Sequence, residues 1–166
     1  MTMAAPRHAR KHAIPYAALL ALVGVLAAGL PGRSATTEWV VTDRNSGLAI
    51  HGFDPVAYFV EGAPILGRGE FEYRHAGVVW QFKNPGNKAA FAHDPEVYSP
   101  RFGGYDPIGL ARGIPLAGDP RIWIIAGERL YLFQSQESRA AFAEDQGRAA
   151  EAADAAWPAI QRTLSP

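Results

Sequence analysis

The sequence predicts an α+β fold, a small antiparallel sheet built from two hairpin-plus-helix units and closed by a C-terminal helix. The main observation is an internal repeat. Ala76-Gly77-Val78-Val79-Trp80-Gln81-Phe82 is followed, after six residues, by Ala89-Ala90-Phe91-Ala92-His93-Asp94. Ala126-Gly127-Glu128-Arg129-Leu130-Tyr131-Leu132-Phe133 is followed, again after six, by Ala140-Ala141-Phe142-Ala143-Glu144-Asp145. Both copies hold a Gly turn, an aromatic-rich strand and a short Ala/Phe helix, with one residue of slippage. The second observation is alternation: Glu70-Phe71-Glu72-Tyr73-Arg74 places charges and aromatics on opposite faces, as a half-buried strand requires. The third is helix punctuation, since Asp54-Pro55 and Asn84-Pro85 each set a capping side chain before a first-turn proline.

The elements follow in order. Trp39–Thr42 reads as a short edge strand, and Pro55–Val60 as a short helix capped by Asp54. Gly62–Gly69 is a turn-rich connection. Glu70–Lys83 forms the first hairpin around His75-Ala76-Gly77. A helix carrying Ala89, Ala90 and Phe91 follows Asn84-Pro85, and Asp94-Pro95-Glu96-Val97-Tyr98 extends or restarts it. The Gly/Pro-rich stretch from Ser99 to Pro120 reads as a long loop, a length usually associated with function or mobility. Arg121–Phe133 forms the second hairpin around Gly127-Glu128, and Ser135 caps the next helix. An Ala-rich amphipathic helix runs from about Arg148 to Leu164, with Pro158 as an expected kink.

Residues 1–34 have a different character. Arg7, Arg10 and Lys11 precede an uncharged run from Ala13 to Leu30, and Pro31-Gly32 ends it. This pattern reads as an export signal. The core from Tyr16 to Leu30 would span only ~22 Å as a helix, short of the ~30 Å hydrocarbon core. A signal peptide is therefore favoured, and a short N-terminal membrane anchor is the alternative. Residues 35–166 form the expected single domain, located in the periplasm, secreted, or tethered to the inner membrane through that segment alone. Beyond Ser34 the chain carries 12 basic and 16 acidic residues, a net charge of about −4 with no basic block. Nucleic acid is therefore not an expected partner. Cysteine is absent, which removes disulfides, thiolate nucleophiles and Cys-based metal sites.

Several segments together resemble the exported bacterial YHS-domain proteins. They are Gly52-Phe53-Asp54-Pro55-Val56-Ala57-Tyr58-Phe59, Trp80-Gln81-Phe82, Ala90-Phe91, Asp94-Pro95-Glu96-Val97-Tyr98, Gly103-Gly104-Tyr105, Gly118-Asp119-Pro120 and Leu130-Tyr131-Leu132. The resemblance covers about Leu48 to Pro158. It implies a small hairpin-plus-helix module without an agreed activity, related to Cys-bearing versions that handle soft metals. This chain departs where the thiols would sit: Asp-Pro-Val continues with Ala57-Tyr58, the strand-to-helix junction reads Phe82-Lys83-Asn84, and Asp106 follows Gly-Gly-Tyr. Thiol or selenol chemistry does not carry over.

His51, Asp54, Tyr58, Tyr105 and Asp106 lie nearest the family-like segments and form the candidate ligand-binding set. A histidine and two carboxylates could hold a hard or borderline cation through nitrogen and oxygen. The structural alternative makes Asp54 a helix cap, Tyr105 a buried anchor and Asp106-Pro107 a turn. No pair has the i, i+4 spacing of a helical metal motif, so no metal site is assigned. His75 and His93 read as solvated, and His8 and His12 belong to the leader. Ser99 and Ser135 lack a Gly-x-Ser-x-Gly elbow, and Glu70 and Glu72 share a solvent face. A non-catalytic binding module with an unknown ligand and no assigned cofactor is the leading expectation. An envelope interaction module comes second, and a small enzyme using Asp106, His51 and Asp54 third.

Overall fold

The computed structural model describes residues 1–2 and 38–164, and Ala35–Pro166 groups as a compact unit separate from Met1–Ser34. The assignment of residues 1–34 as leader or anchor lies almost wholly outside the described residues. Among the described residues, no helix is long and apolar enough to cross a membrane.

The α+β class holds. Helix α1 (Ala57–Val60) precedes the hairpin of β1 (Arg68–His75) and β2 (Val78–Phe82), and α2 (Pro85–His93) and α3 (Pro95–Tyr98) follow. Helix α4 (Pro107–Ala111) precedes the hairpin of β3 (Asp119–Ala126) and β4 (Arg129–Phe133), and α5 (Gln136–Glu144) and α6 (Gln146–Gln161) follow. The two hairpins form separate two-stranded antiparallel ladders rather than strands of a single sheet. The expected edge strand at Trp39–Thr42 is reduced to isolated pairing. Thr42 bridges Ala49, the Val41 N–H donates to the Gly103 carbonyl, and the Ile50 N–H donates to the Val41 carbonyl.

The repeat is deeper than the sequence indicates. Both hairpins turn on two residues of positive φ, Ala76 and Gly77 in one, Gly127 and Glu128 in the other. That is the two-residue turn whose twist suits a hairpin. Ala76 therefore matches Gly127, and aligning the Ala-Gly pairs by eye puts the turns one residue out of step. Both outer strands also bulge at the same place. Arg68 pairs with Phe82 and the next pair is Glu72 with Gln81; Asp119 pairs with Phe133 and the next is Trp123 with Leu132.

The supposed loop from Ser99 to Pro120 is the second copy of Ile50–Arg68. Ile50, His51 and Gly52 have φ of 41, 57 and 77°, and Phe102, Gly103 and Gly104 have φ of 56, 63 and 92°. This left-handed turn costs side-chain-bearing residues of order 1–3 kcal/mol each, so packing must hold it. It does: Ile50 is 0% and Phe102 5% exposed. The Gly67 N–H donates to the Gly52 carbonyl and the Gly118 N–H to the Gly104 carbonyl. A Cβ on Gly67 would lie 2.4 Å from the Gln81 backbone, and one on Gly118 2.6 Å from the Leu132 side chain, so each strand entry demands glycine.

Each half has its own core. Trp80, Phe82 and Phe91 pack with Tyr58, Ile50 and Val56 in the first, and Phe133, Phe142 and Tyr131 with Leu110 and Phe102 in the second. Phe91 and Phe142 are fully buried over Phe82 and Phe133, with ring centroids 5.2 Å apart in both cases. Strand β4 joins the cores, because Leu130 and Leu132 face the first while Tyr131 and Phe133 face the second. Helix α6 starts on the Asp145 cap, packs on α4 and continues past Pro158 to Gln161.

Candidate functional site

Asp54 and Asp106 are each 0% exposed and occupy the same place in the two halves. Asp54 Oδ1 accepts from the Val56 and Ala57 N–H groups at 2.9 and 3.3 Å, and Oδ2 from the Lys83 N–H at 2.9 Å and Asn87 Nδ2 at 2.6 Å. Asp106 Oδ1 accepts from the Ile108 and Gly109 N–H groups at 2.8 and 3.4 Å, and Oδ2 from the Gln134 N–H at 2.9 Å. One oxygen of Asp106 thus caps α4, whereas the matching oxygen of Asp54 holds the turn that leads into α1, whose N-cap is Val56 rather than the expected Asp54. The second oxygen of each fastens the strand-to-helix junction. The backbone supplies donors to a charge taken from water, which a buried carboxylate requires.

Tyr58 and Tyr105 are the remaining buried candidates. The Tyr58 hydroxyl donates to the Pro120 carbonyl at 2.8 Å, joining the first half to the second. Burial, then the nearby Asp119 charge, pushes its pKa well above the ordinary tyrosine value. The Tyr105 hydroxyl donates to the Glu38 carbonyl at 2.6 Å, and its pKa is pushed up to about 12 by burial and then by the Glu38 charge. Each hydroxyl is thus engaged with a backbone carbonyl. His51 stands apart on the left-handed turn, exposed, with Nδ1 4.0 Å from Asp43 Oδ2. Four of the five candidates are thus interior anchors, and His51 is a surface residue.

The other described histidines, His75 and His93, add no cluster. His75 lies edge-on to Phe91 at 5.8 Å, and His93 Nδ1 is 2.6 Å from Asp94 Oδ2 at the surface. Among the described residues, no group of three or more His, Asp or Glu is arranged to hold a metal. Ser135 is a cap, accepting from the Ser138 N–H.

A concavity of about 370 Å³ lies elsewhere, along β3 and the start of α5. Arg121, Trp123, Ile124, Ile125, Gln136 and Arg139 line it. Arg139 has no carboxylate within ion-pair distance among the described residues, whereas Arg121 pairs with Asp119. Arg139 Nε donates to the Trp123 carbonyl at 3.0 Å, and Arg121 lies over the Phe53 ring at 5.1 Å with Asp119 Oδ1 at 3.7 Å. Trp123 meets Tyr58 edge-on at 5.3 Å. None of these lining residues was among the sequence candidates. Comparing the two repeat copies would have found them, since Arg121, Trp123 and Arg139 stand where the first half has Glu70, Glu72 and Lys88.

No protein-family model, no curated protein and no solved structure matches the chain.

Proposed function

We propose that this protein is an exported, non-catalytic binding module of the YHS type, lacking the thiol-based site of its metal-handling relatives. The observation that carries this reading is the commitment of Asp54 and Asp106 to the scaffold. Asp106, which replaces the soft atom expected after Gly-Gly-Tyr, is fully buried and holds backbone N–H groups. Carboxylates already accepting three or four hydrogen bonds are poorly placed to bind a cation or to exchange protons with a substrate. The uncharged run from Ala13 to Leu30 supports export to the bacterial envelope, by cleavage or as an anchor.

The test is native mass spectrometry and elemental analysis on the protein isolated from fractionated cells. The expected result is envelope localisation, a small organic adduct and no stoichiometric copper or zinc. An intact Met1 in the cytosolic fraction would refute export. A stoichiometric soft metal would refute the binding mode.

A further inference from the structure

We infer that the concavity along β3 binds a small organic carboxylate, its charged end on Arg139 and Arg121 and its apolar body on Trp123 and Ile125. This deepens the binding-module reading and rests on it. Ligand sites favour junctions between packed units and pair apolar walls with a few convergent polar groups. The concavity lies at such a junction, and its lining is mixed, with Trp123, Ile124 and Ile125 beside Arg121, Gln136 and Arg139. Arg121 lies over Phe53 and Trp123 meets Tyr58 edge-on, both partners from the first half, while Gln136 and Arg139 come from the second half's helix α5. Its volume of about 370 Å³ lies near the lower end of the range for small-molecule sites.

Charge selects the ligand class. The lining contains two guanidinium groups and no carboxylate. Asp119 pairs with Arg121 at 3.7 Å in an exposed, solvent-screened contact, so among the described residues the unpaired guanidinium of the lining is Arg139. Arg139 is oriented through its Nε, bonded to the Trp123 carbonyl, which leaves its two terminal nitrogens as a planar fork. Such a fork matches the two oxygens of a carboxylate, and fixing it in advance reduces the ordering cost of binding. Trp123, Ile124 and Ile125 are half-buried and offer apolar surface beside the fork. A bare inorganic anion would leave that surface unused, so an acid with an aliphatic or aromatic body fits better.

The full-length protein labelled with 5-fluorotryptophan tests this by fluorine NMR, the Trp123 resonance being assigned with Trp123→Phe. Phenylacetate and hexanoate are the probes, with phenylacetamide and inorganic phosphate as controls. The carboxylates are expected to shift the Trp123 signal with Kd of about 0.1–1 mM, and the amide to bind at least about tenfold more weakly, as loss of a charge-assisted pair requires. Arg139→Gln should weaken binding about tenfold and Arg139→Lys by an intermediate factor, because lysine keeps the charge and loses the fork. Equal binding of amide and acid, no shift at Trp123, or unchanged affinity in Arg139→Gln would each overturn the proposal. If the envelope-isolated protein carries an organic adduct that Arg139→Gln leaves in place, this groove is wrong while the binding-module reading stands.

Discussion

Gln81 and Leu132 occupy the same position in the two halves, and the difference between them explains how the halves are joined. In the first hairpin, Trp80 and Phe82 turn inward, while Gln81 faces outward and bonds Glu72. In the second, Tyr131 and Phe133 turn toward their own core, and Leu130 and Leu132 pack into the core of the first half. The duplicated unit therefore stacks in a row rather than closing around a symmetric centre. The first half covers the outer face of β4, and its own outer strand face ends the stack with Glu70, Glu72 and Arg74 exposed. A polar outer face is what a terminal unit of a stacked array requires. What both halves share is the scaffold: the left-handed turn, the buried aspartate, the bulge, the hairpin turn and the phenylalanine on the helix.

If that scaffold is equivalent, its largest side chain should matter equally in both copies. Phe91→Ala and Phe142→Ala each remove a ring with no exposure from above an equivalent strand phenylalanine. Each should cost about 3–5 kcal/mol in urea denaturation. Values differing by more than about 1.5 kcal/mol, beyond the scatter expected of matched cavities, would break the equivalence of the two cores.

The aspartates come next and should separate the halves slightly. Asp106→Ala removes a helix cap and leaves the Gln134 N–H without its acceptor, a loss of about 2–4 kcal/mol. Asp54→Ala does the same to Lys83 and also strands the buried side-chain amide of Asn87, so it should cost about 1 kcal/mol more. Asn87→Ala in the Asp54→Ala background checks the source of the excess, which should disappear. An excess that persists would place it elsewhere.

Much of the fold was legible because it rests on short-range chemistry. The aromatic strands and the Asn84 and Ser135 caps are local signals found in place, whereas Asp54-Pro55, read as a cap and first turn, forms a turn ahead of α1. Asp106-Pro107 was legible only as a turn, because the bond from Gln134 that fixes its second oxygen comes from 28 positions away. The stretch from Ser99 to Pro120 looked like a loop because its counterpart near Ile50 shares backbone shape more than residue identity. His51 matches Gly103, and a left-handed conformation leaves little trace when histidine adopts it. The separate ladders follow from Leu130 and Leu132, whose burial by another half is a tertiary fact invisible in strand alternation. The candidate site was the least legible part. His51, Asp54, Tyr58, Tyr105 and Asp106 gather around the family-like segments in sequence, but those segments are two copies of one motif, each anchoring its own half.

The tyrosines sharpen the comparison, since neither has a tyrosine counterpart. Tyr58 matches Leu110, and Tyr105 matches Phe53. Each extra hydroxyl makes a tie outside the shared scaffold, to Pro120 and to Glu38. Tyr58→Phe should cost about 1 kcal/mol through the lost bond. Both tyrosines hold their protons more tightly folded than unfolded, because burial disfavours the phenolate. Above the unfolded value near 10 the unfolded state binds fewer protons, so stability should fall as pH rises from about 10 through the value of about 12 for Tyr105. Tyr58→Phe should shallow this alkaline decline, and an unchanged slope would remove Tyr58 as a contributor.

The smallest expected difference concerns the caps of α2 and α5, where the halves use different chemistry for one task. Asn84 Oδ1 accepts the Asn87 N–H at 2.8 Å, and Pro85 presets the first turn behind it. Ser135 Oγ accepts the Ser138 N–H at 3.3 Å, with Gln136 where the first half has proline. Cap bonds contribute typically ~1 kcal/mol, and a longer bond to a hydroxyl should contribute less. Asn84→Ala should therefore cost about 1 kcal/mol and Ser135→Ala about half that. The first value has a second component, because the Asn87 side chain that follows the cap also holds Asp54. Loosening the first turn of α2 shifts Asn87, whereas Ser138 makes no such bond to Asp106 among the described residues. Combining each cap substitution with its aspartate substitution separates the two effects. Asn84→Ala and Asp54→Ala should be non-additive, whereas Ser135→Ala and Asp106→Ala should add within about 0.5 kcal/mol. Additivity in both halves would mean that Asn87 does not couple cap to core, and that the two junctions are energetically alike despite their different residues.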